Sequence, residues 1–367
     1  MDRILVVAPE ICEPWTEGRK NLVRDLLHAL TRLKHEIELI TFWRDRNSPT
    51  RLRNIRISGR HCKGIAHGLL YQHRKLASVL SSERFDSVLH FPYGSFRSFR
   101  SIVNNQSMLH IDRTCGRHRT RCLTVLYSAD EHADLEMLAK RLSGLATGRG
   151  SPKDIPCVDF GISTDHWSVP ERPRTPGRKL LFMAGMWQPR QGRLEHVIDR
   201  RGLGLLLQLG DRLASRGASL TVASPLLDSE SLSRRLRTHE LNTWPDDRLR
   251  LVPVAKIPNI YLEADLFIFP YNANIRVFRP TSVIESMMSG TPAVISDQHF
   301  LRESIGNNTP VFWFRAGNAQ SLFSTIIHAL DHPGETERKA DAARQYASKH
   351  WRIESTAQRL LDILQTL

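Results

Sequence analysis

Short apolar runs alternate with amphipathic segments along the whole chain, in two successive series. The first series begins with a strand predicted at residues 3–8, and the second begins with a strand predicted at 179–184. In the second series, helices are expected at 202–215 and 228–238. Apolar runs such as 266–269 are typical of strands buried in a parallel sheet, and helices between such strands form βαβ units. The sequence therefore predicts an α/β fold of two Rossmann-like doubly wound domains that face a cleft.

The best linker pattern lies between the two series, in residues 165–178. Its helix-breaking residues stand among polar ones: Pro170, Pro173, Pro176 and Gly177. We therefore expect an N-terminal domain at 1–168, a linker at 169–178 and a C-terminal domain at 179–349. The remaining segment, 350–367, is an amphipathic helix that we expect to pack back toward the N-terminal domain. Doubly wound domains bind ligands beyond the carboxyl ends of their strands, so the cleft is the expected site.

The chain is strongly basic, with 52 Lys and Arg residues against 38 Asp and Glu residues and a net charge of +14. Residues 51–128 hold 14 basic and three acidic residues, which is a net charge of +11 (14 − 3). This region is therefore expected to meet an anionic partner: an acidic membrane surface, a lipid-diphosphate acceptor or nucleic acid. The alternative is a solvated basic face in an arginine-rich protein, since only ten of the 52 basic residues are Lys.

Several classes of protein are disfavoured by the sequence. No apolar run reaches the roughly 20 residues of a membrane-spanning helix, and the N-terminus resembles a strand more than a signal peptide. We expect a cytoplasmic protein, peripheral at the inner face of the membrane. The five cysteines contain no C-x-x-C pair, which argues against a disulfide framework and a zinc site. No metal and no bound cofactor are predicted.

A capped helix is predicted in residues 279–294, where a polar loop leads into an apolar periodic segment. Pro280 suits the first helical turn, Thr281 or Ser282 can cap it, and Gly290 suits its end. The start of such a helix presents free N–H groups and a positive dipole, which suit a diphosphate. Glu285 lies one turn further in, where its carboxylate could accept hydrogen bonds from sugar hydroxyls. The alternative for Glu285 is a solvated face.

Five segments in this order resemble the GT-B glycosyltransferases, specifically the retaining family 4 type (glycosyl transferases group 1). They are listed here in chain order: 13–20, 159–165, 184–192, 260–270 and 279–294. The resemblance covers nearly the whole chain. It implies transfer of a sugar from a nucleotide-diphosphate sugar to a hydroxyl acceptor with retention of configuration. The expected acceptor is a glycan or a lipid-linked sugar in glycan, glycolipid or cell-surface polysaccharide synthesis.

The resemblance and the predicted positions of the side chains together suggest roles for individual residues, and the arginines are assigned on charge and position alone. The donor-binding residues would be Gly185, Arg190, Arg193, Arg279, Thr281, Ser282 and Glu285. The catalytic residues would be His110, Arg190 and Glu285. The acceptor-binding residues would be Glu17, Gly18, Arg19, Lys20 and His90. His90 is expected to end a strand at 87–90, and His110 is expected near the end of a strand at 107–111. The alternative for either histidine is a hydrogen-bonded residue at a strand end.

Three positions depart from the family pattern. Val277 stands where the family has the first acid of its Glu-x7-Glu pair, and Met186 and Gln191 replace two basic residues of the phosphate loop. Nearby arginines are a physically reasonable replacement, because a guanidinium binds phosphate through two hydrogen bonds. Other readings are a glycosyltransferase that modifies nucleic-acid bases, a catalytically silent nucleotide-sugar-binding protein and, less favoured, a nucleotide-sugar epimerase.

Overall fold

The computed structural model describes most of the chain. The described ranges are 1–11, 18–44, 52–92, 99–127, 135–148, 154–164, 178–183, 196–224, 244–253, 259–271 and 280–367. The chain forms two compact units, one of residues 1–162 with 351–367 and the other of residues 163–350. The predicted linker at 169–178 lies outside the described residues, except that Arg178 begins a strand.

The first unit contains one six-stranded parallel sheet with helices between its strands. Its elements are β1 (Arg3–Val7), α1 (Gly18–Arg32), β2 (Glu36–Trp43), β3 (Arg56–His61), α2 (Ile65–Ser82), β4 (Ser87–His90), α3 (Phe99–Arg117), β5 (Arg121–Leu126), α4 (Leu135–Arg141) and β6 (Leu145–Thr147). The strand order is β3-β2-β1-β4-β5-β6, and every pair is parallel. The direction in which strands are added reverses between β1 and β4, where a doubly wound sheet binds its ligands.

Both faces of this sheet are covered by helices, which explains the apolar runs in its strands. Ile4 and Val6 of β1 pack into a core shared with α1 and with the C-terminal helix of the chain. Leu5 and Val7 point the other way, into a core shared with α2 and α3. Side chains of a strand alternate between its two faces, so a central strand with both faces covered needs apolar residues at every position.

The strand predicted at 107–111 is wrong, because these residues lie in the 19-residue helix α3. Met108, Ile111 and Cys115 are fully buried at helical spacing. Buried polar residues on the same helix, such as Asn104 and Thr114, hide this spacing from a reading based on apolar residues. The short strand β6 was also missed, since three residues carry too little periodicity to be recognised.

The end of the chain packs into the first unit as α12 (Ile353–Thr366). Its entry is fixed by a parallel bridge in which the Ile162 N–H donates to the Trp351 carbonyl at 2.9 Å and the Ile353 N–H donates to the Ile162 carbonyl at 3.1 Å. The Thr356 hydroxyl accepts from the Gly161 N–H at 2.8 Å and donates to the Asp159 carbonyl at 2.7 Å. Helix α12 therefore completes the core of the first unit, whose other helices and strands lie within residues 1–162.

The second unit contains the other six-stranded parallel sheet. Its elements are β7 (Arg178–Met183), a π-helical turn (His196–Arg200), α5 (Leu203–Gln208), α6 (Gly210–Ala214), β8 (Ala218–Ser224), a 3-10 turn (Asp246–Arg248), β9 (Leu249–Pro253), α7 (Asn259–Glu263), β10 (Leu266–Phe269), α8 (Thr281–Met288), β11 (Ala293–Asp297), α9 (His299–Ile305), β12 (Phe312–Arg315), α10 (Ala319–Asp331) and α11 (Pro333–His350). The strand order is β12-β11-β10-β7-β8-β9, so the direction of strand addition reverses between β7 and β10.

Two predictions for the second unit have different outcomes. The helical region predicted at 202–215 is present, but Leu209 divides it into the two short helices α5 and α6. The helix predicted at 228–238 lies outside the described residues.

Candidate active site

The helix predicted in residues 279–294 exists as α8, which connects the neighbouring strands β10 and β11. The N–H groups of Val283 and Ile284 both donate to the Pro280 carbonyl, at 2.9 and 3.1 Å, so Pro280 occupies the N-cap position. Thr281 and Ser282 lie inside the first turn, and the prediction that one of them caps the helix is wrong. Proline has no side-chain acceptor, so the N-cap side chain does not satisfy the first N–H groups.

The end of α8 is a Schellman motif, as the glycine in the sequence indicates. Gly290 adopts the left-handed conformation with φ of +69°. Its N–H donates to the Met287 carbonyl at 3.0 Å, and the Thr291 N–H donates to the Ser286 carbonyl at 2.9 Å. Gly290 therefore ends the helix, as predicted, and turns the chain into β11.

Buried hydroxyl groups join α8 to the preceding helix, α7. The Thr291 hydroxyl donates to the carbonyl of Tyr261 at 2.7 Å, and it lies 2.9 Å from the hydroxyl of Ser289. The Ser286 hydroxyl donates to the Thr291 carbonyl at 3.0 Å. All three hydroxyl-bearing residues are buried. Buried polar groups that satisfy one another fix the relative position of the segments that carry them.

The same tyrosine holds the carboxylate of Glu285. The Tyr261 hydroxyl donates to Glu285 Oε2 at 3.0 Å and also lies 3.1 Å from the Ser282 carbonyl oxygen. Tyr261 is fully buried, and burial together with the negative charge of Glu285 raises the pKa of its phenol well above the ordinary value. The phenol is therefore a permanent donor at physiological pH. Glu285 itself is half-buried, so it lies in a fixed orientation at the edge of the core.

Sequence reasoning missed this role of Tyr261, although the residue lies in the recognised segment 260–270. A tyrosine among apolar residues is ordinarily a core residue, and its partner Glu285 lies 24 residues further along the chain. The available signal was the polar end of an otherwise buried side chain, which needs a hydrogen-bond partner.

A close contact follows β10 at the carboxyl edge of the sheet. Gly202 has a φ of +75°, and a Cβ atom there would lie 1.8 Å from the Pro270 carbonyl oxygen. Tyr271, the next residue, is buried, and its carbonyl accepts a hydrogen bond from the side-chain amide of Gln298, which precedes α9. The backbone that leaves β10 is therefore held in place before it enters the segment leading to α8.

Several predicted donor residues fall outside the described ranges: Gly185, Arg190, Arg193 and Arg279, together with the three departures Val277, Met186 and Gln191. The strands that precede these segments are β7 and β10, which are hydrogen-bonded neighbours in register Phe182 to Ile268. Their carboxyl ends therefore lie side by side at the point where strand addition reverses. The roles of these residues stay predictions.

The predicted acceptor residues lie on the first unit. Gly18 and Arg19 begin α1 and Lys20 follows, half-buried, while Glu17 lies outside the described residues. His90 is the last residue of β4, as predicted, and pairs with Val7 of β1. Its ring Nδ1 lies 3.4 Å from the Thr124 hydroxyl. Burial, and secondarily the charge of His73, lower the pKa of His90 to about 3, so the ring is neutral at physiological pH.

His110 does not end a strand, so the structural reason for its predicted catalytic role is wrong. It is an exposed residue in the middle of α3 and stacks on His73 of α2, with ring centroids 4.4 Å apart. His73 lies 2.8 Å from the Ser107 hydroxyl through its Nε2 atom. Burial and the neighbouring His110 lower the pKa of His73 to about 4. The role of His110 in the reaction remains a prediction from resemblance alone.

The sequence of the second unit matches a known family of enzymes. Residues 191–332 match the family model described as glycosyl transferases group 1. This part of the chain is similar to the group 1 glycosyltransferases. The match includes α7, α8 and the Tyr261–Glu285 pair, and it confirms the predicted enzyme class, glycosyltransferase. A search of curated protein sequences finds no significant match.

Solved glycosyltransferase structures share the fold over the whole chain. A glycosyltransferase from Rickettsia africae has a TM-score of 0.72 at 14% identity, covering 100% of this chain and 98% of that chain. HepE from Anabaena, in complex with UDP, has a TM-score of 0.69 at 14% identity and 100% coverage of both chains. The catalytic domain of starch synthase IV from Arabidopsis thaliana, bound to ADP and acarbose, has a TM-score of 0.68 at 13% identity, covering 100% and 99%. The similarity confirms the predicted GT-B fold.

Two further observations apply to the described residues. None of their helices has both the length and the apolar composition needed to cross a bilayer. Their His, Cys, Asp and Glu side chains form no group of three that could hold a metal ion.

Proposed function

We propose that this glycosyltransferase moves a sugar from a nucleoside-diphosphate sugar to a hydroxyl acceptor, with the donor bound at the start of α8. The observation that supports this most is Glu285, which lies one turn into that helix and is held by the buried hydroxyl of Tyr261. A carboxylate whose orientation is fixed by a buried phenol can accept hydrogen bonds from sugar or ribose hydroxyls in a defined direction. The helix belongs to the matched group 1 domain.

The chemistry of the leaving group explains why a helix start is suitable. Cleavage of the sugar–phosphate bond leaves a nucleoside diphosphate that gains negative charge in the transition state. N–H groups and cations placed in advance stabilise that charge. In our proposal these are the first N–H groups of α8 with Arg190, Arg193 and Arg279, and Gly185 allows the phosphates to approach the backbone.

The nucleotide is proposed from the neighbours. HepE is solved with UDP and with UDP-glucose, and starch synthase IV is solved with ADP. UDP and ADP are therefore the first probes for this chain. We propose retention of configuration, and we propose a glycan or lipid-linked acceptor near Lys20 and His90. The basic region 51–128 is proposed to contact an acidic membrane surface at the cytoplasmic face.

A binding titration tests the donor site. Glu285→Gln removes the charge and Tyr261→Phe removes the hydrogen bond that fixes it, and both should weaken UDP-sugar or ADP-sugar binding measured by calorimetry. We expect about ten-fold for Glu285→Gln, since one charge-assisted hydrogen bond is lost. Glu263→Gln is the matched control, because Glu263 lies on α7 of the same unit with 61% of its side chain exposed. Equal affinity of Glu285→Gln and wild type would exclude Glu285 from the donor site.

A catalytically silent nucleotide-sugar-binding protein is the second candidate. It is favoured by Val277, Met186 and Gln191, which replace three polar groups of the family pattern. Incubation with a bound donor and detection of free nucleoside diphosphate separate the two candidates. Release of UDP or ADP, with or without an added acceptor, supports the enzyme, whereas tight binding without release supports the silent protein.

A further inference from the structure

A groove of about 610 Å³ lies in the first unit, between the end of β3 and the outward face of α2. One wall comes from the edge strand of the sheet, where Arg60 and His61 are the last residues of β3 and Lys63 follows. The other wall is a stripe of α2 residues at helical spacing, which includes His67, Tyr71 and Arg74. All of these residues belong to the first unit, whereas the donor site is proposed on α8 of the second unit.

A glycine brings the helix close to the sheet and shapes the groove. Gly68 lies on the inward face of α2, and a Cβ atom there would lie 2.3 Å from the ring of Phe42 in β2. Phe42 is fully buried against Cys62 and Leu69. Because the helix rests directly on this ring, its outward residues stand beside the end of β3 in a fixed position.

The groove concentrates positive charge that has no acidic partner. Its four cations are Arg60, Lys63, Arg74 and Lys75, and no Asp or Glu lines it among the described residues. None of the four forms an ion pair within the described part of the chain. Arg56, four residues before Arg60 on the same strand, is paired with Glu38 at 3.1 Å and with Glu83 at 2.5 Å. The positive charge at the start of β3 is therefore neutralised by acidic partners, and among the described residues the positive charge at its end is not.

Like charges that converge in a concave surface repel one another, so the free energy of this arrangement falls when an anion enters. The positive charge of Arg60 acts on two side chains that line the groove. Burial raises the pKa of Tyr71 and of Cys62, and the charge of Arg60 opposes that rise in both. An arginine side chain can donate two parallel hydrogen bonds, and a lysine side chain acts as a point charge that donates single ones. Together they suit the several oxygens of a phosphoryl group.

We propose that this groove binds a phosphoryl or diphosphoryl group through Arg60, Lys63, Arg74 and Lys75. Leu70 is 47% exposed, whereas most leucines that the structure describes are buried, and Tyr71 is half-buried beside it. These two side chains provide an apolar wall for the substituent that carries the phosphate. The ligand class is therefore a phosphate monoester or diphosphate with an apolar or sugar substituent, presented either by a soluble molecule or by a lipid headgroup.

Lysine footprinting of the full-length protein provides a readout confined to the groove. The acetylation rates of Lys63 and Lys75 are measured by mass spectrometry, with and without inorganic pyrophosphate at low ionic strength. Both rates should fall about ten-fold at saturation, while the exposed Lys34 and Lys140 of the same unit should be unaffected. Equal acetylation with and without pyrophosphate would overturn the proposal. Because Lys63 and Lys75 both line the groove, their acetylation reports on the groove itself.

Matched charge variants separate a site from a diffuse basic field. Arg60→Gln with Arg74→Gln removes two charges from the groove, and Arg113→Gln with Arg117→Gln removes two exposed charges from α3. The first pair should abolish the protection of Lys63, and the second should preserve it. The same loss with both pairs would mean that net charge alone attracts the anion, which contradicts a built site. All four side chains are exposed, so folding should persist, and circular dichroism checks this.

Vesicles distinguish the source of the phosphate. Phosphatidylcholine vesicles that contain phosphatidic acid present a monoester, and those with an equal fraction of phosphatidylglycerol present only a diester. A lipid headgroup is identified by three results together. The protein co-sediments more with phosphatidic acid vesicles than with phosphatidylglycerol vesicles, and pyrophosphate releases it from them. The double variant Arg60→Gln with Arg74→Gln does not co-sediment. Protection by pyrophosphate without such co-sedimentation identifies a soluble ligand. Both results support the site, whereas the absence of protection by pyrophosphate overturns it.

Discussion

Gly161→Ala tests how the end of the chain is anchored in the first unit. A Cβ atom at residue 161 would lie 2.3 Å from the carbonyl carbon of Arg352, 2.4 Å from its oxygen and 2.6 Å from the Trp351 oxygen. All three atoms are backbone, so the clash cannot be relieved by a side-chain rotation. The two segments must separate by roughly 1 Å to reach ordinary van der Waals contact.

The magnitude follows from what that separation would break. The bridge holds two backbone hydrogen bonds between Ile162 and the segment 351–353, and Gly161 holds a third with Thr356. Loss of two of them costs about 1–3 kcal/mol, and overpacking adds about 1–3 kcal/mol. The expected loss is therefore about 2–6 kcal/mol, a large part of the roughly 5–15 kcal/mol that keeps a domain folded.

Thermal unfolding followed by circular dichroism measures the loss, and limited proteolysis should release α12 earlier than in the wild type. Gly116→Ala is the matched control, since Gly116 lies in α3 with nothing within 4 Å of its added Cβ. That change should be neutral or stabilise by up to about 1 kcal/mol through helix propensity. A Gly161→Ala protein that melts at the wild-type temperature with α12 still protected would refute the packing argument.

Three further perturbations have defined outcomes. Gly68→Ala should lower the melting temperature, because the added methyl group would lie 2.3 Å from the ring of Phe42. Overpacking of about 1–3 kcal/mol exceeds the helix-propensity gain of about 1 kcal/mol. The additional change Phe42→Leu should recover part of the loss, and no recovery would show that the contact with Phe42 is not its cause. Tyr261→Phe should cost about 1–3 kcal/mol in urea unfolding, since it leaves Glu285 Oε2 and the Ser282 carbonyl without that donor, and an unchanged midpoint would show that the bond contributes nothing. Stability should fall as the pH drops below about 6.5, because His90 and His73 have folded pKa values of about 3 and about 4, so that the unfolded chain binds more protons than the folded one between those values and 6.5. The slope of the free energy of unfolding against pH approaches about 1.4 kcal/mol per pH unit for each histidine. The change His90→Gln should reduce this slope between about pH 6 and 4.5, whereas the change His118→Gln, at an exposed residue, should not. Equal slopes in the two variants would contradict burial of a neutral His90.

Much of the fold could be predicted because buried parallel strands and amphipathic helices leave a local pattern. The apolar run at 266–269 became β10 with all four residues buried, and the periodic C-terminal segment became α12. The pattern failed where polar residues are buried, as in α3, whose Asn104 and Thr114 conceal the helical period that Met108 and Ile111 would otherwise display. His110 was consequently assigned to a strand that does not exist.

The candidate site was predicted in part for the same reason. Gly290 and Glu285 belong to a local loop–helix–strand pattern, so their places at the end and in the middle of α8 follow from nearby residues. The cap was predicted incorrectly because Pro280, Thr281 and Ser282 each suit a helix start, and only the backbone hydrogen bonds decide which of them is the first residue outside the helix.

The sequence by itself determined the two βαβ series, the helix stop at Gly290 and the excess of positive charge in residues 51–128, since each is a property of neighbouring residues. Only the tertiary structure decided which groups share a location. It places the hydroxyl of Tyr261 on the carboxylate of Glu285 and brings the α2 residue Arg74 beside Arg60 at the end of β3. Such pairs depend on strand order and on how closely a helix packs, and these are set by the whole core at once.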